Sequence, residues 1–421
     1  MARTDPSEKF GFIWSLPIIL IFAVGGLLQY VGLLSQTQSN WLALILFGHV
    51  FFRMSGWRQV RREILLVVFI LYIVFDYFRH SAPAANTFTY VYYIICTIIA
   101  AASGRVYAER IASTIGIERF FRFAKWFLVA ELIVVSFQRL FTEQFISLSK
   151  APIGYVDAIF GTLFLQSDAA LAASCEFLTI SSLLLYCNAR DRMFISGISL
   201  LIVFLLNSDT SKASILFVVI LSAIYSLHAS LRVGRVAFNA LLVLTVISFF
   251  LIALNSFSGV FTDFFTQARG DYYHRDSWMY ASRFSPLGQM FADGVDFLGG
   301  GALTYYNPIT KEWLYNAGFS TFYSLYIDFG IPGLALYYAY QIVLVLRLTR
   351  NYLESAIFLC VLLLFSFFNF ALTDLAFTFS FNLALYLNYL LGRSIPRTYG
   401  KEAPLPLSAG SEGVVAPRAT K

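Results

Sequence analysis

The feature that most limits what this chain can fold into is a succession of about twelve apolar runs. Each is close to the roughly 20 residues that a helix needs to cross the hydrocarbon core of a bilayer. The runs cover residues 11–33, 41–56, 63–79, 87–104, 120–138, 168–188, 193–208, 213–230, 236–257, 331–347, 354–372 and 375–392. A soluble fold is excluded by the charge supply. Of 421 residues 58% are hydrophobic and only 13% charged, where a water-facing surface calls for about a quarter. The spacing predicts an all-α, polytopic membrane protein of about 12 transmembrane helices, with a large folded loop between helices 9 and 10. Residues 1–393 form the bundle together with its loops 139–167 and 258–330. The Pro-, Ala-, Ser- and Gly-rich stretch 394–421 is expected to be a disordered cytoplasmic tail. The first run is long enough to span and lacks a small-residue cleavage site, so it reads as a span and not as a removable signal.

The positive charges set the orientation. With a cytoplasmic N-terminus, of the 30 Lys and Arg all but eight fall on the inner side, in clusters such as Arg58, Arg61 and Arg62 or Arg119, Arg122 and Lys125. This is the positive-inside pattern, repeated at nearly every hairpin, and it puts both termini in the cytoplasm. The same clustering accounts for the net charge of +6 without nucleic acid as a partner. Trp41, Trp57 and Trp126 fall near predicted interfaces, as anchors do. Cys96, Cys175, Cys187 and Cys360 lie in or beside apolar runs without metal or redox spacing, and are expected to be small buried hydrophobes. The four histidines form no metal motif, and neither a metal nor a cofactor is expected.

The eight outer cations are Arg79, Arg139, Lys150, Lys212, Arg269, Arg275, Arg283 and Lys311. Topology disfavours positive charge there. Each is either a solvated or lipid-facing side chain, or part of a site for an anionic group such as a pyrophosphate, which the planar fork of Arg binds well. The densest patch is ARGDYYHRDSWMYASRF, 268–284. As a helix it would put Arg275 and Trp278 on one face, with Asp271 and Asp276 offsetting some charge; His274 is a candidate base or plain polar surface. Lys212 closes the short turn NSDTSK, within reach of a lipid phosphate or simply snorkelling. In the run 296–338, GGG at 299–301 allows close backbone approach, and GIPG at 330–333 breaks a helix. A short amphipathic helix, about 317–329, is therefore expected on the membrane surface, with Asp328 facing the same cavity as the Arg patch. Glu131 and Glu176 fall at mid-membrane, where an acid is a functional candidate or a protonated clamp between helices.

Three short motifs, in this order and on this side of the membrane, give the chain a resemblance along its full length. SDTSKASILFVV (208–219) resembles a Ser-Arg turn that opens a helix. HRDSWMYASRF (274–284) resembles an outer-loop Arg-x-x-Trp motif, matching at Arg275 and Trp278. GFSTFYSLYIDFGIPGLALYY (318–338) resembles a His-Asn…Glu-x-Gly-x-x-Gly segment, matching at Asp328, Gly330 and Gly333. The family is the bacterial O-antigen polymerase and ligase superfamily, which contains the Wzy-type polysaccharide polymerases. Two departures stand out: Lys212 replaces Arg, and Phe319–Ser320 replaces His-Asn, which argues for a polymerase over a ligase.

The resemblance implies a GT-C-like glycosyltransferase in the bacterial inner membrane. It would polymerise undecaprenyl-diphosphate-linked oligosaccharide repeat units on the periplasmic face into O-antigen, capsule or exopolysaccharide, without metal. It also implies membrane lipid, a chain-length regulator and a flippase as partners. In that frame Arg275, Asp328 and His274 are the catalytic candidates. Arg139, Lys212, Arg269 and Arg283 would hold the diphosphate, and Trp278 and Tyr273 would stack on sugar. The alternatives are an O-antigen ligase and a twelve-helix flippase or other transporter, the latter predicting internal symmetry and polar residues through the bundle core.

Overall fold

The computed structural model describes residues 12–53, 63–80, 83–153, 158–164, 168–185, 189–208, 211–221, 297–304, 306–307, 312–313 and 320–394. Apart from a two-residue hairpin, β1 (Tyr306–Asn307) with β2 (Glu312–Trp313), the regular structure in these residues is helical. The helices are α1 (Phe12–Ile19), joined by a π turn (Leu20–Val24) to α2 (Gly25–Tyr30), then α3 (Gln36–Arg53), α4 (Ile64–His80) and α5 (Ala84–Arg110). They continue with α6 (Ile117–Leu140), α7 (Thr142–Leu148), α8 (Asp168–Leu185), α9 (Ala189–Leu205) and α10 (Ser211–Leu221). The last three are α11 (Thr321–Leu348), α12 (Tyr352–Phe368) and α13 (Leu375–Ser394). Three segments, Ala84–Ile115, Asp168–Leu185 and Thr321–Leu348, are long and apolar enough to cross a membrane. Large apolar side chains such as Phe52, Phe75, Phe78, Phe88 and Trp126 stand exposed on the bundle, an arrangement that suits lipid and that water would penalise. The ninth predicted span, 236–257, and Trp57 lie outside the described residues, as does nearly all of the tail.

The bundle is built around α13, which packs chiefly on α5 and α8. Apolar burial does not drive helices together inside lipid, so close approach through small residues has to. The sequence supplies them: Ala100, Ala101, Ala102, Ser103 and Gly104 on α5, and Ala170, Ala172 and Ala173 on α8, are all buried. At Gly104 an added Cβ would lie 2.6 Å from the Phe379 carbonyl oxygen, so α5 meets the α13 backbone directly. Helix starts are capped by side chains. Ser320 Oγ accepts from the Tyr323 amide at 3.2 Å, Asn351 Oδ1 from Glu354 at 2.9 Å, and Asp374 Oδ1 from Phe377 at 2.8 Å. Each satisfies one of the amides that a helix start leaves without a partner.

Three expectations are corrected by the packing. The segment 139–167 is not simply an external loop. After α7 the chain turns back, and Ala158, Ile159, Phe160, Leu163 and Phe164 are buried among the helices. Gly25 and Gly26 make room for it: a Cβ on Gly26 would sit 2.0 Å from the Leu163 carbonyl oxygen. Irregular backbone at this depth needs every polar group answered. Gln138 meets that need by accepting from the Phe160 and Gly161 amides (3.1 and 2.9 Å) and donating to Gly161 O at 3.0 Å. Gly26→Val should therefore unseat this segment and lower the thermal midpoint of the purified protein by several degrees; an unchanged midpoint would contradict the close approach.

Arg105 is not a loop cation. The fourth span continues past residue 104 to Arg110, and Arg105 is fully buried, paired with Glu63. The third correction concerns 317–329. The helix begins at Thr321 and is enclosed by protein: Thr321, Tyr323, Ser324, Leu325, Ile327, Asp328 and Phe329 are all buried. It is an embedded half-helix and not a surface one.

Candidate functional site

The GIPG break is where the site is anchored. Gly330 has φ 62° and ψ −158°, a conformation open to glycine, and it divides α11 into two half-helices. Pro332 then falls in the first turn of the second half, where its missing N–H does no harm. Such a break strips hydrogen bonds from the backbone on both sides. The GGG loop, 297–304, restores them. Gly300 N donates to Ile327 O (2.8 Å), Gly301 N to Asp328 O (2.9 Å), and Ile331 N to Phe297 O (2.9 Å). A Cβ on Gly299 would lie 2.4 Å from the Asp328 carbonyl, so the predicted close backbone approach is present. Asp328 Oδ2 accepts from Leu303 N at 2.9 Å, and Asn86 Nδ2 donates to Ala302 O at 3.2 Å.

The end of α4 locks this knot from below. Arg79 donates through NH2 to Leu298 O and Gly299 O (2.9 and 2.8 Å), while Asp76 holds the guanidinium at 3.2 Å and also faces His80 at 3.5 Å. His80 packs on Gly301, where a Cβ would meet its ring carbons near 3.2 Å. Arg79, one of the eight outer cations, is thus committed to carbonyl oxygens. Asp328 is fully buried and bonded to the loop, so it serves as a keystone of the knot; the Arg patch expected to share a cavity with it lies outside the described residues.

Two other cations belong to the turn joining α9 to α10, one by its side chain and one by its place in the chain. Arg139, at the end of α6, donates to Asn207 Oδ1. Lys212, half-buried in the first turn of α10, donates its amide to Ser208 O at 3.2 Å. Ser208 Oγ also accepts from Ser211 Oγ at 2.8 Å. Lys150 sits elsewhere: its amide donates to Tyr30 O at 3.0 Å and its aliphatic stem covers Gly32. Of the sequence-derived site residues, Arg139 and Lys212 are brought to one turn and Asp328 to the knot. His274, Arg275, Arg269, Arg283, Trp278 and Tyr273 lie outside the described residues.

The two acids expected at mid-membrane have separate roles. Glu131 is a clamp. Thr162 N donates to Glu131 Oε2 at 3.0 Å, and Thr162 Oγ1 bonds both Glu131 Oε1 and Phe22 O (2.6 Å to the latter), tying α6 to the re-entrant segment and to the π turn after α1. Gly161, at φ 67°, presses on the carboxylate: a Cβ there would lie 2.0 Å from Glu131 Oε2. Glu176 instead lines a cavity and is taken up below.

Sequence reasoning missed the buried polar core around Arg105. Its guanidinium meets Glu63, Tyr340 Oη at 3.1 Å and Asn382 Oδ1 at 3.5 Å, joining the start of α4 to α5, α11 and α13. The available signal was the unbroken helical run of small residues, AAASG, leading into Arg105. Polarity is therefore not confined to the outer end of the protein. Among the described residues no group of three His, Cys, Asp or Glu could hold a metal ion.

Fold and site together define a predominantly helical protein with helices long and apolar enough to cross a membrane, a broken helix braced by a glycine loop, and a turn flanked by an Arg and a Lys. No protein-family model matches the chain, and no curated protein matches it either.

Proposed function

We propose that the protein is a polysaccharide polymerase of the bacterial inner membrane, with about twelve spans and both termini in the cytoplasm. It would join undecaprenyl-diphosphate-linked repeat units on the periplasmic face. The observation that carries this reading is that Arg139 reaches Asn207 of the α9–α10 turn, with Lys212 in the first turn of the helix that follows. Two cations at a bundle end suit a lipid diphosphate, whose charge develops as the glycosidic bond to phosphate breaks. The braced break in α11 is a second support, because broken helices in membranes are kept where backbone lines protein or a cavity. Its knot also carries the beginning of the segment that follows Arg275 and Trp278 in the chain. In this mechanism Arg139, Lys212 and Arg275 neutralise the leaving diphosphate, and Arg269 and Arg283 extend the grip. A base takes the proton of the acceptor hydroxyl. His274 suits that step better than Asp328, whose carboxylate is already occupied by the Leu303 amide.

The test is reconstitution. Purified protein with lipid-linked repeat units should yield a ladder of glycans, and Arg275→Ala should abolish the ladder while the protein remains inserted and abundant. Arg275→Lys should recover only part of the activity, since an ammonium has no bidentate fork. A full ladder from Arg275→Ala would remove that residue from the mechanism.

One observation favours a second reading, transport of lipid-linked oligosaccharide. Glu63, Arg105, Glu176 and Asn382 are buried within the bundle, and ionisable groups inside a membrane commonly mark translocation pathways. Movement of the lipid across vesicles without any ladder would favour it.

A further inference from the structure

Glu176 is a buried acid held by a single hydrogen bond among the described residues. It lies on α8, 2% exposed, and among the described residues its one hydrogen-bond partner is Ser214 of α10. None of the ion pairs among the described residues includes it. Its carboxylate borders a cavity of about 20 Å³ whose polar lining is Glu176, Ser211, Ser214 and Asn369, and whose other walls include Ala173 and Phe365. A space of this size holds one water-sized body. The lining offers oxygen donors and no nitrogen cation of its own. An ionised carboxylate buried without a counter-charge is too costly to persist, and the cavity sits against it with room for a single small cation.

We propose that this cavity is a binding site for one sodium ion, held by the Glu176 carboxylate, the Ser211 and Ser214 hydroxyls and the Asn369 carboxamide oxygen. Hard monovalent cations take oxygen ligands. A divalent ion would need more carboxylates to balance its charge, and one carboxylate balances one sodium. Apart from the Glu176–Ser214 bond, the helices contributing ligands or walls, α8, α10 and α12, share an apolar cluster here that includes Phe177, Val218 and Phe358. Sodium adds a polar tie at one point. Ser211 is also the residue before Lys212, and its hydroxyl bonds Ser208 of the α9–α10 turn. The ion therefore sits directly beneath the turn that carries the Arg139 contact.

The experiment uses the full-length protein in lipid nanodiscs, with thermal unfolding followed in sodium chloride, potassium chloride and choline chloride at constant ionic strength. A ligand that binds only the folded state raises the midpoint, by an amount that grows with the logarithm of its concentration above Kd. The expected result is a concentration-dependent rise of at least about 2 °C in sodium, smaller in potassium and absent in choline. Radioactive sodium should bind at one ion per chain. Glu176→Gln should abolish both the shift and the binding. Should that variant fail to fold, Ser214→Ala decides the matter, with half-saturation moved to roughly tenfold higher sodium for one lost ligand. Identical midpoints in sodium and choline would overturn the proposal and leave Glu176 as a protonated acid beside a water. So would a sodium response that survives in Glu176→Gln or is unmoved in Ser214→Ala. These readouts involve no glycan, so their failure is separate from failure of the polymerase reading.

Discussion

Replacing Arg105 alone with Met is expected to leave little folded protein. Arg105 and Glu63 are both essentially inaccessible and lie against each other, with Tyr340 and Asn382 completing the cluster. Removing one partner of a buried pair strands the other charge in a low-dielectric interior, at a typical cost of about 3–5 kcal/mol. That is a large part of the stability of most proteins. The loss should come mostly from the stranded carboxylate, and a second substitution checks this. Glu63→Gln together with Arg105→Met removes both charges and should recover most of the folded yield, because neutral replacement of a buried pair is often harmless. Monodisperse yield and thermal midpoint in detergent report both outcomes. A single Arg105→Met variant as stable as the parent would show that the pair contributes nothing. A double variant no better than the single would assign the loss to packing instead.

The second large effect is expected at Gly330. Its φ of 62° with ψ −158° belongs to a region that residues with a Cβ avoid, and the added methyl would stand 2.0 Å from the Phe297 carbonyl oxygen. Gly330→Ala cannot keep both the break and the GGG loop in place. The loop should detach, losing the bonds from Gly300, Gly301 and Leu303 to α11, while α5, α8 and α13 remain packed. Protease cleavage within 297–304 should accelerate by an order of magnitude or more. Chain extension should stop under the polymerase reading, because the knot follows the Arg275 segment in the chain and the break it braces supports that reading. Asp328→Asn separates bracing from chemistry. The carboxamide oxygen can still accept from Leu303, so the loop should stay protected. Retained activity then makes Asp328 a bracing residue, and lost activity with an intact loop would restore it as the base. Equal protease resistance in Gly330→Ala and the parent would refute the knot as described.

Much of this architecture is legible in the chain itself. Apolar runs of near-spanning length become helices because an isolated backbone in lipid has no other way to satisfy its amides. The GGG and GIPG signals announce a close approach and a break, and both occur where glycine's freedom is needed, at Gly299 and Gly330. These are local properties: a run, a turn and a missing Cβ act on neighbours in sequence.

What the chain could not disclose by itself is which distant groups meet. Residues 158–164 carry enough turn residues to pass for an outer loop, and only the notch at Gly25 and Gly26, more than 130 positions away, draws them inside. Arg105 looks like one more inner-side cation until Glu63, Tyr340 and Asn382 close around it. Glu131 and Glu176 are equivalent as letters in apolar helices, yet one is clasped by Thr162 and the other borders a cavity. The physical reason is common to all three. The fate of a buried polar group depends on the partners that reach it, and those partners are chosen by the packing of helices far apart in sequence.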